Sequence, residues 1–340
     1  MESHVASNLV VVALAIAAIA TVVVVRRSRI WSEAFVQLWR RRRFALIVAG
    51  IYVGIALLDS IAWVGGAEGH ADAVSVHESR SVIDRVFGGH QERSYSAPFA
   101  DVEFYGGQPL HHPGSHVLGT DLIGRDVLYL ALKGARVALL IGGLTSLLAI
   151  PLALLFGVSA GYFGGRIDTI VFFVMSTLAS MPGLLLLIAL IMVMGKTTFG
   201  VCVALAVTGW VGFCRIARGE TLKLRELEYI SAARALGVSE GQIVMRHILP
   251  NLVHLVIITF VLMFSGLVLS EAILSWLGIG VDGSWGQMID QARNELSRDP
   301  IVWWNISAAG TALFGLILAV NFIGDALRDV LDPRTLQGNE

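Results

Sequence analysis

Glu228-Tyr-Ile-Ser-Ala-Ala-Arg-Ala-Leu-Gly237, followed after nine residues by His247-Ile-Leu-Pro250-Asn251, is a polar, alanine-rich stretch wedged between two long apolar runs. Its residues predict a helical hairpin. Positions 226–236 are dominated by Glu, Ala, Arg and Leu, all good helix formers. Gly237 is placed to end that helix in a left-handed conformation. Ser239 and Gln242 have capping-box spacing for a second helix, and Pro250 marks the start of the next apolar run. The Ala232, Ala233 and Ala235 methyls leave room for a foreign backbone to come close. A small-residue hairpin between two membrane segments predicts a docking surface for another protein.

The rest of the chain supplies the membrane. Of 340 residues, 55% are hydrophobic and 15% charged, with a mean hydropathy of +0.72. A soluble domain of this length could not bury so much apolar surface. Seven apolar segments stand out, near 9–25, 45–63, 137–160, 169–194, 198–214, 252–275 and 303–323, most of them close to the ~20 residues that cross a bilayer. The first lacks Lys or Arg before it and a small-x-small cleavage site after it, so it reads as an uncleaved anchor rather than a signal peptide. Arg26, Arg27, Arg29 and Arg40 to Arg43 form the strongest basic cluster. By the positive-inside rule that cluster is cytoplasmic. Loops 64–136 and 276–302 then fall outside. The turn at Gly164-Gly165-Arg166, the loop 215–250 with its six Arg and Lys, and the C-terminus fall inside. Loop 64–136 carries turn signals and predicts an irregular external subdomain with one or two short helices. Pro151 and Pro182-Gly183 lie within spans and predict kinks. The net charge of -1 gives no sign of nucleic-acid binding. Cys202 and Cys214 lie roughly 18 Å apart on one helix, beyond disulfide reach.

The hairpin resembles the EAA loop of ABC importer permeases, whose pattern is Glu-Ala-Ala, three residues, Gly, nine residues, then Ile-x-Leu-Pro. Ala232, Ala233, Gly237, Leu249 and Pro250 match, while Ser231 stands at the Glu position and His247 at the Ile position. Glu228-Tyr229 and the His-Ile-Leu-Pro-Asn ending are similar to the dipeptide/oligopeptide/nickel branch. The resemblance makes Glu228, Tyr229, Ala232, Ala233, Arg234, Gly237, His247, Leu249 and Pro250 the coupling loop that contacts an ATPase. Charge places this loop in the cytoplasm by a separate argument.

Two further stretches resemble the same permeases. One is His116-Val-Leu-Gly-Thr120-Asp121-Leu-Ile-Gly124-Arg125-Asp126, which precedes the first core span in one of the two subunits of such systems. Thr120 or Asp121 can cap the helix that follows, and Arg125 and Asp126 can pair with neighbouring loops or a partner. The other runs through Glu271, Ser275, Gly278-Ile-Gly280, Ser284-Trp285-Gly286 and Asn321 to Pro333. Thr120, Asp121, Arg125, Asp126, Glu271, Ser275 and Trp285 are therefore the candidates for pathway or external-gate residues. Glu271, near the outer end of the sixth apolar segment, reads as an interfacial carboxylate reaching water or capping a neighbouring turn, with a pathway role as the alternative. Asp59 is a similar case, and Asn321 is expected to hydrogen-bond between helices. The family often has an Arg and an Asp in the span that begins near Asp168; here Ile170 to Pro182 carries no charge.

Other chemistry is weakly signalled. His111, His112 and His116 fit no zinc spacing with a supporting set. Gly195-Lys196-Thr197 resembles the end of a Walker A loop, but Leu190 replaces the required glycine. No His-Glu-x-x-His occurs, and the Gly-x-Ser-x-Gly match at Gly157 to Gly161 lies within an apolar run. The expectation is an all-α, polytopic protein of about seven transmembrane helices with a type I ABC importer permease core. Residues 1–44 would form an anchor and basic linker, 45–136 the first family span and external subdomain, 137–325 the core with its coupling loop 215–250, and 326–340 a tail. By resemblance its partners are a second homologous permease, two ABC ATPases carrying ATP and Mg, an external solute-binding protein and the lipid bilayer. No cofactor is expected on this chain. The same machine carrying nickel, glutathione or another small solute, an integral-membrane enzyme, and a scaffold are the alternatives.

Overall fold

A computed structural model describes residues 29–63, 80–87 and 91–331. The expected anchor at 9–25 lies outside the described residues. In chain order the elements are α1 (Arg29–Ser60), β1 (Ala62–Trp63), β2 (Arg80–Ser81), α2 (Val82–Phe87), α3 (Val127–Phe163), α4 (Gly165–Ser180), α5 (Gly183–Met194), α6 (Thr198–Arg225), α7 (Glu228–Ala235), α8 (Glu240–Ile243), a π-turn (Val244–Ile248), α9 (Leu249–Trp276), α10 (Trp285–Glu295) and α11 (Trp304–Leu331). Strands β1 and β2 form one short antiparallel pair.

Five described helices are long and apolar enough to cross a membrane: Arg42–Ser60, Val127–Phe163, Thr198–Arg225, Glu240–Trp276 and Trp304–Asp329. A further apolar helix pair is sharply bent. Helices α4 and α5 meet at 94° around Met181-Pro182, in what reads from sequence as one apolar run. Pro182 has no N–H and pushes the preceding residue out of helical conformation. Met181 is accordingly extended at φ −84, ψ 141. The other two prolines behave differently. Helix α3 runs on through Pro151. Pro250 does not separate the hairpin from the next span either, because Glu240–Trp276 is one helix. The proline ring would clash with the carbonyl of Arg246 in a regular helix. The π-turn at that point, in which the Leu249 N–H reaches the Val244 carbonyl, supplies the extra residue that admits it.

The chain divides into two compact units, 1–139 with 275–320, and 140–274 with 321–340. In the second, Gly157 and Gly161 bring α3 against α6: a Cβ at Gly157 would meet the Cys214 carbonyl and Ala217, and one at Gly161 the Arg218 carbonyl and Thr221. Small residues four apart permit such close backbone approach. Around this contact Val171, Met175, Trp210 and Phe213 form a core. Both cysteines are buried and free, as expected. Ser265 Oγ donates to Asn321 Oδ1 at 2.9 Å, the predicted interhelical bond. Large apolar side chains also face outward, among them Val193 at 87% and Phe173 at 69% exposure. That distribution suits lipid or a second membrane subunit, not water.

In the first unit, loop 91–126 and the segment after α9 build one assembly. Tyr95 Oη donates to Glu295 and Tyr105 Oη to the Pro300 carbonyl, so the two loops assigned to the same side by charge do meet. Among the described residues this loop is irregular, with α2 as its short helix. The second helix lies elsewhere, in 276–302: α10, capped by Ser284 Oγ accepting from the Gln287 N–H.

Candidate functional site

The hairpin forms as its residues dictate. Helix α7 ends in a Schellman motif: Gly237 sits at φ +81, its N–H reaches the Arg234 carbonyl, and Val238 N–H reaches Ala233. Ser239 is the N-cap of α8, but its side chain makes no capping bond, so the expected reciprocal box with Gln242 does not form. Beneath the hairpin Ile230, Ile243, Ile248 and Leu252 are buried against Val158 and Tyr162 of α3. Each fully buried isoleucine contributes roughly 1.5–3 kcal/mol. The two halves of the motif touch: Asn251 Nδ2 donates to Tyr229 Oη at 3.2 Å and to the His247 carbonyl at 2.6 Å, and the Tyr229 and His247 rings lie 6.1 Å apart.

The opposite face is open. Glu228, Tyr229, Ala232, Arg234 and Gly237 are exposed, as are Pro250 and the apolar Leu236 (84%) and Met245 (67%). Ala233, His247 and Leu249 are half-buried. A Cβ on Gly237 would meet nothing within 4 Å. The hairpin thus offers a small-residue, partly apolar surface held from below by its own core.

The second candidate region is closed. Thr120 Oγ1 accepts from the Ser96 N–H at 2.6 Å and donates to the Ser94 carbonyl at 2.8 Å. Asp121 caps its own turn, accepting from the N–H groups of Ile123 and Arg125 and from the Arg125 guanidinium. The helix cap is neither of these residues. Asp126 Oδ1 accepts from Leu128 N at 2.7 Å and Tyr129 N at 3.2 Å, and so starts α3 ten residues before the apolar run. Its other oxygen holds His116 Nδ1 at 2.9 Å, while His116 Nε2 faces Glu92 at 3.5 Å. Burial works against the Glu92 charge, but the N–H groups of His111 and His112 and the His116 ring keep its carboxyl below the usual range. No group of three or more metal-ligating side chains arranged to hold an ion occurs among the described residues.

Trp285 is an anchor rather than an exposed group. Its indole N–H donates to the Ala131 carbonyl at 2.8 Å, and it lies on Gly134, where a Cβ would collide with the ring. Ser275 Oγ lies 3.1 Å from Ser284 Oγ. Glu271 is 4% exposed, so of the two expected arrangements the carboxylate does not reach water. Of the seven pathway candidates only Arg125 stays partly accessible, beside Gln287 and Gln291 at a shallow depression.

Three sets of polar contacts were not read from the sequence. Asp59, one residue from the end of α1, accepts from Ser81 Oγ at 2.8 Å and faces Arg136 at 3.5 Å; Asp84 binds Lys133 at 2.5 Å and Tyr129 at 2.7 Å. Burial opposes the Asp84 charge, yet the Lys133 and Tyr129 bonds bring its pKa down to about 2. Glu295 is buried, with Tyr95 Oη at 3.3 Å and Asn305 Nδ2 at 3.2 Å; burial first, and the nearby Asp121 charge, raise its pKa. Asp168 takes a two-pronged bond from Arg218 at 2.5 and 2.7 Å. Only α10 had a readable signal, an N-cap serine followed by Trp285, Met288, Ala292 and Glu295 at helical spacing.

The family described as binding-protein-dependent transport system inner membrane component matches residues 153–337. The oligopeptide transport system permease protein OppC of Haemophilus influenzae is 34% identical over 224 residues, 65% of this chain and 71% of that protein. The dipeptide transport system permease protein DppC of Bacillus subtilis is 34% identical over 230 residues, covering 67% and 71%. The glutathione transport system permease protein GsiD of Pectobacterium atrosepticum is 36% identical over 223 residues, covering 65% and 73%. Among solved structures, the MetNI methionine ABC transporter in an inward-facing crystal form gives a TM-score of 0.49 at 20% identity, over 60% of this chain and 97% of that one. With more than half its length inside the family and its apolar helices in place, this chain belongs to the binding-protein-dependent transport system inner membrane components and is a multi-pass inner-membrane permease subunit of an ABC importer.

Proposed function

We propose that the chain forms half of the translocation pathway of an ATP-driven importer for peptides. It would pair with a second homologous permease, two cytoplasmic ATPases and an external solute-binding protein. The named relatives transport oligopeptides, dipeptides and glutathione, and peptides are the chemistry they share. ATP and Mg would be bound on the ATPases; this chain carries no nucleotide motif and supplies no catalytic group. The observation that carries the reading is the exposed face of hairpin 228–250, open around Gly237 and packed on buried isoleucines beneath. ATPase closure would push on this face, and the permease halves would rock between inward-open and outward-open states.

The test is Gly237→Trp in the assembled transporter. A bulky ring in the docking surface should uncouple ATP hydrolysis from uptake while the protein still inserts in normal amount. Normal peptide uptake by this variant contradicts the assignment. The chain alone should not bind a peptide with micromolar affinity, and calorimetry on the isolated subunit checks this.

A further inference from the structure

We propose that Tyr162, Arg234 and Glu240 form a clasp that fixes the hairpin's orientation on α3 and so delivers the ATPase stroke to that helix. The inference rests on the reading of hairpin 228–250 as the ATPase contact, and adds the residues through which its movement is passed on. Tyr162 stands in the last turn of α3, and its ring is buried in the apolar cluster under the hairpin. Its hydroxyl emerges at the cluster's edge and donates to Glu240 Oε2. Arg234 Nη2 donates to the same hydroxyl at 3.2 Å, Arg234 Nε donates to Glu240 Oε1 at 3.2 Å, and the guanidinium lies over the Tyr162 ring, 5.7 Å from its centre. One residue from each hairpin helix and one from a membrane span thus close a three-membered ring.

A second tie stands beside it. Arg225, in the last turn of α6, donates to the Gly161 and Tyr162 carbonyls at 3.2 and 3.3 Å. These belong to the last four carbonyls of α3, which have no partner within the helix. The end of α3 is therefore held from two directions, by the hairpin and by the helix that leads into it.

The physical need for such a clasp follows from the character of the surface beneath. Burial of Ile230, Ile243 and Ile248 holds the hairpin down, but the hydrophobic effect is non-directional. A hairpin seated on apolar contacts alone can rotate under load. Hydrogen bonds fall off steeply with angle, and those involving charged partners are the stronger kind. The clasp resists rotation, so a push on the exposed face moves α3 rather than tilting the hairpin. Tyr162, Arg234 and Glu240 are positioning residues on this account; none touches nucleotide or solute.

The test uses the full transporter in proteoliposomes, with three readouts: ATPase subunits retained on purification, ATP hydrolysis rate, and peptide taken up per ATP. Tyr162→Phe keeps the buried ring and removes only the hydroxyl. It should retain the ATPases and hydrolyse ATP within about twofold of wild type, while uptake per ATP falls about tenfold. Glu240→Gln, at an exposed position, should lower the same ratio, and it serves if Tyr162→Phe reduces the amount of complex. Arg234→Glu should do likewise, and Arg234→Glu with Glu240→Arg should recover most of the loss. Unchanged uptake per ATP in Tyr162→Phe and Glu240→Gln overturns the clasp, as does a fall that comes only with lost ATPase subunits and is not recovered by the charge exchange. Absence of ATP-driven uptake by the wild-type complex overturns the functional reading itself, and is told apart because it needs no variant.

Discussion

Two polar regions of similar appearance in the sequence, residues 116–126 and 228–250, use their polarity in opposite ways. In the first, the polar groups are turned inward. His116, Thr120 and Asp121 are wholly buried, and each finds partners within the same unit. In the second, the apolar isoleucines are turned inward, and the polar and small residues are left outside. Polar stretches that look alike can therefore leave an open face or tie a knot that sets the geometry of a loop. Burial distinguishes them where residue type does not.

Two glycines isolate this difference. Gly124 and Gly237 have nearly the same backbone, at φ +75 and +81. At Gly124 a Cβ would run into the backbone of Glu92; at Gly237 it would enter open space. Gly124→Ala carries the left-handed penalty and must also displace a neighbouring strand of chain, for a loss on the order of 3 kcal/mol or more. Gly237→Ala should cost about 1–2 kcal/mol, the backbone penalty alone. Thermal unfolding of the two variants in the same detergent measures the gap. Equal losses would break the comparison.

A smaller effect is expected from pH. The pKa of Glu295 is raised, so the folded protein holds a proton that the unfolded chain releases. Its contribution to stability is fully present below the unfolded value and is lost as pH rises through the folded one. Glu295 Oε2 and Asn305 Oδ1 are both buried without a hydrogen-bond partner, while Asn305 Nδ2 already donates to Glu295 Oε1. A proton on the carboxyl removes the charge that burial opposes. Glu295→Gln keeps the side chain neutral at every pH with an N–H in place of the O–H. It should therefore stabilise the unit at high pH, by on the order of 1 kcal/mol, and be neutral near pH 4. Asp84 gives the opposite limb: its pKa is lowered from 3.8 to about 2, so its contribution is present above 3.8 and is lost as pH falls through about 2. Unfolding curves across pH, with Glu295→Gln beside wild type, check both limbs. A variant that tracks wild type at all pH values would remove Glu295 from the account.

The spans and the hairpin were legible because length, apolar runs and helix caps are local properties. The Schellman end at Gly237 needed only ten residues to predict. The break at Pro182 was half legible: proline announced a kink, but a 94° turn inside an apolar run depends on what surrounds it. The π-turn before Pro250 was hidden for a related reason, since a proline can end a helix or be absorbed by one. Partners such as Tyr95 and Glu295 are 200 positions apart, and no periodicity connects them. The cap at Asp126 was missed by choosing among three plausible oxygens, Thr120, Asp121 and Asp126, where the fold uses Asp121 to close its own turn.

The claim that the hairpin, and not the 116–126 loop, meets the ATPase can be tested by contact directly. A photo-crosslinking residue placed at Leu236, the most exposed apolar position of the hairpin, should capture an ATPase subunit in membranes containing the whole transporter. The same residue at Ile123, exposed on the closed loop, should capture none. An ATPase adduct at Ile123, or its absence at Leu236 in membranes that transport normally, would contradict the account.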